Sequence, residues 1–208
     1  MEIVIAISVM AVGLGMGLMG TLRSTEAFRT SDRRATEETN VRRALRRVAD
    51  ELSATGEVGS YPDPGTAGNS TITYRRAIGF VGGVVQWGEL KSLSLEPETG
   101  EVMDGLDNNE NGLVDEGMIV LIRGVGGADQ QRIVLCHGVS RFLEGEIENG
   151  DDDNENGMDD EAGFVLQRDP SEGDGSLLNI SVTLEGIDQD GTRFQRTLST
   201  STRMRNWN

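Results

Sequence analysis

Residues 3–22 read IVIAISVMAVGLGMGLMGTL, twenty consecutive positions without a charge, and a short chain has few places to put such a run. As a helix rising about 1.5 Å per residue it reaches roughly 30 Å, the thickness of a bilayer's hydrocarbon core. A cleaved signal peptide needs a basic start and a small-residue cleavage site. Here the acidic Glu2 precedes the run, Arg23 closes it and no A-x-A-like site follows. The expectation is therefore a transmembrane helix over 1–22 that stays attached as an anchor. Glu2 stands where a helix macrodipole favours negative charge, or where an amine of another subunit could meet it. Each of Gly13, Gly15, Gly17 and Gly20 costs a helix about 1 kcal/mol relative to alanine. The Gly13/Gly17 pair allows close helix packing, and the same glycines allow local unwinding.

Beyond Arg23 the helical pattern continues in a water-compatible form. Val41, Leu45, Val48 and Leu52 recur at spacings of four, three and four, with Arg42, Arg43, Arg46 and Arg47 mostly on the other side. Gly56 reads as the stop. An amphipathic continuation over 23–56 would extend the rod to roughly 80 Å.

From residue 69 the period changes. Short β-branched and aromatic runs alternate with glycine-rich punctuation, which predicts strands over 71–78, 83–90, 118–123, 131–142, 164–168, 178–185 and 192–202. Ile180, Val182 and Leu184 alternate with Ser181 and Thr183, the mark of a sheet with one buried face. The amphipathic half of the helix is the natural cover for that face. The predicted fold class is α+β: a long N-terminal helix packed on an antiparallel sheet, with a β-rich head over 57–208.

The net charge of −16 is local. Residues 96–175 hold 22 acidic and 4 basic side chains, while both flanking regions are close to neutral. Within this stretch a motif occurs twice, DGLDNNENGLVDE over 104–116 and NGDDDNENGMDDE over 149–161, offset by 45 residues. Oxygen ligands at alternate positions with a glycine at the sixth are what a chain needs to curl around one hard cation. In the first copy the candidate ligands are Asp107, Asn109, Asn111, the Leu113 carbonyl, Asp115 and Glu116, with Asp104 as an addition. In the second they are Asp152, Asn154, Asn156, the Met158 carbonyl, Asp160 and Glu161, with Asn149. The twelfth position holds Met118 or Gly163 where an EF-hand places a bidentate glutamate, so Glu116 and Glu161 are the expected substitutes. Two structural Ca²⁺ ions are expected, with affinities near the 0.1–1 mM of about typical extracellular modules.

The opening MEIVIAISVMAVG, the helix over 41–52, the ITYRR, VVQWGEL and RIVLCHGVSRF stretches and the closing RTLSTSTRMRN resemble type IV pilins and pseudopilins. Within that family the likeness is to PilW-type minor pilins and J-type pseudopilins of type II secretion. The resemblance implies a helix that lies in the inner membrane before assembly and in the core of an extracellular or periplasmic filament afterwards. It also implies other pilin subunits as partners, and a Glu2 that neutralises a neighbour's terminal amine. The family glutamate is normally the fifth residue of the mature chain, so the resemblance further implies a glycine-ended leader upstream of Met1.

Several classes are disfavoured. With the single cysteine Cys136 there is no intrachain disulfide, and a pI near 4.4 argues against nucleic acid as a partner. His137 and Cys136 fall on opposite faces of one strand, and no phosphate loop or G-x-S-x-G elbow is present. The expected function is non-enzymatic: a pilin-like subunit with a calcium-stabilised head. The rival reading is a membrane-anchored calcium-dependent adhesin that does not polymerise.

Overall fold

In the computed structural model the backbone is described for residues 2–56, 63–65, 67–169, 171, 176–188 and 191–206. Side chains of the helix's first part are described only at positions 10, 16, 18, 19, 21, 31 and 32, and then from 34 onward. The chain order is α1 (Glu2–Ser53), β1 (Thr71–Val81), β2 (Val84–Pro97), β3 (Gly117–Arg123), β4 (Gln131–Val139), β5 (Phe164–Arg168), β6 (Leu177–Ile187) and β7 (Arg193–Arg203). All seven stretches read as strands form strands.

These strands make one antiparallel sheet in the order β1-β2-β3-β4-β6-β5, with β7 also paired to β6. Strand β7 bonds β6 along its whole length, from Leu177↔Arg203 to Ile187↔Arg193. Strands β5 and β4 therefore share the other edge of β6 end to end, β5 through Phe164↔Val182 to Arg168↔Leu178 and β4 through Val139↔Leu184. The sheet curls far enough for Asn69, just before β1, to bridge Leu166 of β5 at the far end of the order.

The core lies inside this curl. Ile72, Tyr74, Leu93, Ile119, Leu121, Phe164, Leu166, Leu178, Ile180 and Val182 are all fully buried, and the helix supplies Val41, Ala44, Leu45, Val48 and Leu52. The spacing of the four aliphatic residues singled out on this face is what places them inward. Gly56 serves a different purpose from a helix stop. A Cβ there would sit 2.2 Å from the Asn206 carbonyl oxygen, so the glycine lets the chain end pass.

The expected fold class requires correction. A long helix laid along a sheet is not what organises the molecule: the body is a curled antiparallel sheet, and only a short helical segment packs on it. Described contacts of α1 with the sheet begin with Arg34, which pairs with Asp188, and end at Ser53, whose carbonyl accepts the Arg205 N–H. The physical reason lies in the charges. Between Arg23 and Glu38 nearly every helical turn carries one or more charged residues (Arg23, Glu26, Arg29, Asp32, Arg33, Arg34, Glu37, Glu38), and no apolar stripe forms before Val41.

The transmembrane reading of 1–22 is likewise overturned, and with it the placement in an inner membrane before export to an extracellular or periplasmic filament. Among the described residues no helix is long and apolar enough to cross a membrane. Four glycines dilute the apolar run, and the charged stretch follows it directly. Glu2, Gly13 and Gly17, the candidate assembly residues, lie on α1 with side-chain positions outside the described residues.

Candidate metal centre

Strand direction gathers the acidic segment at one end of the sheet. The first loop joins the end of β2 to the start of β3, where Pro97 pairs with Gly117, and Gly117 also pairs with Val139 at the end of β4. The second loop leaves β4 from that same end. The β1–β2 hairpin, the β3–β4 turn and the C-terminal end of α1 lie at the other, as the Arg123↔Gln131 pair and the Ala77 N–H to Ala54 carbonyl bond show.

Repeated sequence becomes repeated geometry. Asp107 accepts the Asn111 N–H at 3.1 Å and the Gly112 N–H at 2.7 Å, and Asp152 accepts those of Asn156 and Gly157 at 3.0 and 2.8 Å. The Asn109 amide oxygen takes the Asn111 N–H, and the Asn111 oxygen takes the Leu113 N–H. Asn154 and Asn156 do the same for Asn156 and Met158. Gly112 and Gly157 adopt φ of 91° and 88°, the left-handed turn for which the sixth position needs glycine. Glu110, Asp115, Glu155 and Asp160 also have positive φ, and among the described residues no other non-glycine does. Backbone strain of this kind costs on the order of 1 kcal/mol per residue and persists where the surroundings impose it.

The side chains sort into two sets. Asp115 and Asp160 fasten the loop mouths. Asp115 is buried and accepts the Asp104 and Gly105 N–H groups at 2.8 and 2.9 Å, with Arg141 at 2.9 Å. Burial pushes its carboxyl up, but the Gly105 N–H, the Arg141 guanidinium and the Asp104 N–H outweigh this and hold it below the usual aspartate range. Asp160 accepts the Asn149 and Gly150 N–H groups, both at 2.8 Å. Asp104 and Asn149 turn back on their own loops, capping Leu106 and Asp151.

Glu116 and Glu161 form the second set. The side-chain amides of Asn109 and Asn111 both donate to Glu116 Oε1, at 2.9 and 2.5 Å. Those of Asn154 and Asn156 both donate to Glu161 Oε1, Asn154 at 3.2 Å. Two further carboxylates join them that the sequence reading missed. Glu101 Oε1 accepts the Asn108 and Asn109 N–H groups at 3.0 and 2.8 Å, and Glu146 Oε1 accepts the Asn154 N–H at 2.9 Å. They too are 45 residues apart, each eight before the first of the two amide asparagines. Extending the 45-residue comparison backwards past the D-x-N core would have found them.

Glu101, Glu116, Glu146 and Glu161 are at most 7% exposed, and in each the second oxygen, Oε2, is buried with no hydrogen-bond partner. A buried carboxylate oxygen left unpaired is costly enough that proteins normally neutralise it or place a metal ion beside it. The donor sets are mixed, two carboxylates and two asparagine amides per loop. Among the described residues no group of three or more His, Cys, Asp or Glu side chains converges. An all-oxygen set of carboxylates, amides and carbonyls suits calcium and not a thiolate or imidazole metal.

Cys136 is buried, its thiol pushed up to about 12 chiefly by burial, and exposed His137 pairs with Glu98 at 2.9 Å. Comparison with family models, with characterised proteins and with solved structures finds no match to this chain.

Proposed function

We propose that this chain is a pilin-like structural subunit: its head is made rigid by two calcium ions, one in each acidic loop, and it assembles with like subunits through the part of α1 that precedes Arg34. The calcium half of the reading is carried by the four buried, unpartnered glutamate oxygens. At each loop the ion would take Glu116 or Glu161 as the anchoring carboxylate, with Glu101 or Glu146 and the paired asparagines around it. Each asparagine oxygen accepts one backbone N–H of its own loop and keeps a second lone pair, which a cation held beside the glutamates could take without any turn of the amide. The role is structural, because the loops carry 5 and 7 acidic side chains and no basic one, and need a counter-charge to stay closed.

The assembly half is supported by α1 itself. The described contacts of this 52-residue helix with the body come from its last twenty residues, and the described apolar side chains before them, Met10, Met16, Leu18 and Met19, are 65–71% exposed. Four such side chains on a projecting helix are stabilised when like helices pack against them.

Two measurements test the halves separately. Calorimetric titration of the full chain with calcium should show two equivalents bound, one lost in Glu116→Gln and one in Glu161→Gln. Absence of heat together with an unchanged melting temperature in chelator would sink the calcium reading. Sedimentation with electron microscopy should show polymers that Met16→Asp and Met19→Asp abolish without moving the head's melting temperature. A chain that binds calcium and stays monomeric would instead be a non-polymerising calcium module.

A further inference from the structure

The end of the sheet opposite the acidic loops carries the β1–β2 hairpin, and its tip is uncharged. From Ala77 to Gly88 the sequence is AIGFVGGVVQWG, turned through Gly82 and Gly83 with φ of 60° and 86°. These are the values of a tight two-residue hairpin turn. Val81 pairs with Val84 and Phe80 with Val85, so neighbouring pairs place apolar side chains on opposite faces of the ribbon. Both faces are open to solvent: Ile78 is 72% exposed, Phe80 70%, Val81 66% and Val84 62%. Half-buried Trp87 pairs with Ala77 behind the tip, and behind it come exposed Arg75, Arg76 and Glu89.

We propose that this tip is a lipid-contacting finger that inserts into the surface of an anionic bilayer. A protein partner of ordinary interface shape covers one face of a ribbon, whereas a lipid interface surrounds both. The order along the ribbon fits that medium: apolar tip, then an indole at the level of the headgroups, then two arginines set against one glutamate. From Ile78 to Val81 the ribbon spans about 10 Å, the depth of the headgroup and acyl boundary, where water still satisfies the free edge of β1. The charge distribution orients the molecule, because the acidic loops lie at the end of the sheet furthest from an anionic surface. The tip shares no residue with the apolar part of the helix or with the calcium loops, so this inference stands or falls independently of the proposed function.

The test uses the full chain carrying Trp207→Phe, which leaves Trp87 as its sole indole. It is mixed with vesicles of phosphatidylcholine and phosphatidylglycerol, with and without brominated acyl chains. Trp87 emission should shift to the blue and be quenched by the bromines. Phe80→Asp should lower the vesicle partition coefficient, read from quenching at increasing lipid, by about tenfold or more, the size of effect expected for losing one buried aromatic, while Phe80→Leu keeps most of it. An unchanged melting temperature for Phe80→Asp shows that the exposed substitution leaves the fold intact. The proposal is overturned if Trp87 is never quenched, or if Phe80→Asp is quenched as strongly as the parent. It is also overturned if the tip is occupied instead by a second copy, seen as a dimer in sedimentation that Phe80→Asp dissociates.

Discussion

Glu51 and Glu116 are both carboxylates with at most 1% exposure, yet the two ends of the sheet treat them in opposite ways. At the hairpin end Glu51 receives Lys91 Nζ at 2.8 Å and Arg47 at 3.2 Å, with Arg123 and Arg76 at 3.8 and 4.0 Å and the Tyr74 hydroxyl beside them. At the loop end Glu116 receives two neutral amides on one oxygen and nothing on the other. One end folds with its counterions built into the chain, whereas on the proposal made above the other is completed by a cation from solution.

The largest effect expected from this contrast is that of calcium itself. An ion at a hundred times its Kd stabilises by about 2.7 kcal/mol per site, so two filled loops amount to roughly 5 kcal/mol. Melting in calcium against chelator reads it. If the melting temperature is unmoved, the loop end has no missing counterion and the contrast is lost.

Lys91→Met should come next. It leaves Glu51 buried beside more distant arginines, and breaking a buried pair from one side costs about 3–5 kcal/mol. That loss must be the same in calcium and in chelator. A calcium-dependent loss would mean that the two ends of the sheet are coupled.

Glu116→Gln and Glu161→Gln sharpen the contrast through a change of sign. In chelator each substitution removes an uncompensated buried charge and should stabilise by about 1–3 kcal/mol, while in calcium it should destabilise by removing a ligand. Loop 1 should show the smaller benefit in chelator, because Arg141 reaches Asp115 beside Glu116, at 2.9 Å, and among the described residues no cation meets Asp160. A common sign under both conditions would remove the cation from the account.

What was legible in the sequence follows the range of the forces involved. Alternation along 178–185 and the four-three-four spacing from Val41 to Leu52 report local periodicities, and they correctly placed Ile180, Val182 and the helix face in the core. The motif at 104–116 likewise encodes its own turn, since Asx turns and a left-handed glycine are local chemistry. The length of uncharged sequence at 3–22 was a poorer guide, because absent charges are not apolar surface and its four glycines add length without hydropathy. Glu101 and Glu146 share the 45-residue offset and could be paired by it, but their burial is set by tertiary contact beyond the motif and no local spacing reports it. The four cations around Glu51 come from α1, β1, β2 and β3, and no spacing in the chain announces them.

The smallest effect is a pair of opposed pH slopes. For Glu51 burial pushes the carboxyl up, but the Lys91 hydrogen bond and the charges of Lys91, Arg47 and Arg76 outweigh it and hold it below the ordinary value of 4.5. Its contribution is fully present above that value and is lost as pH falls through it toward the lowered one. The stability advantage of the parent over Glu51→Gln should therefore shrink as melts are taken from neutral pH down past 4.5. Glu185, on β6 at the loop end, is raised: burial leads, the Glu116 charge adds to it, and Gln195, Arg193 and Ser140 only partly offset them. Here the native state binds the proton more tightly, so the parent gains on Glu185→Gln as pH falls from neutral through the raised value toward 4.5. Calcium beside Glu116 neutralises part of the repulsion and should flatten the Glu185 slope while leaving that of Glu51 unchanged. Equal calcium response of both slopes would show a general effect of ionic strength, and would leave the loop end without a cation of its own.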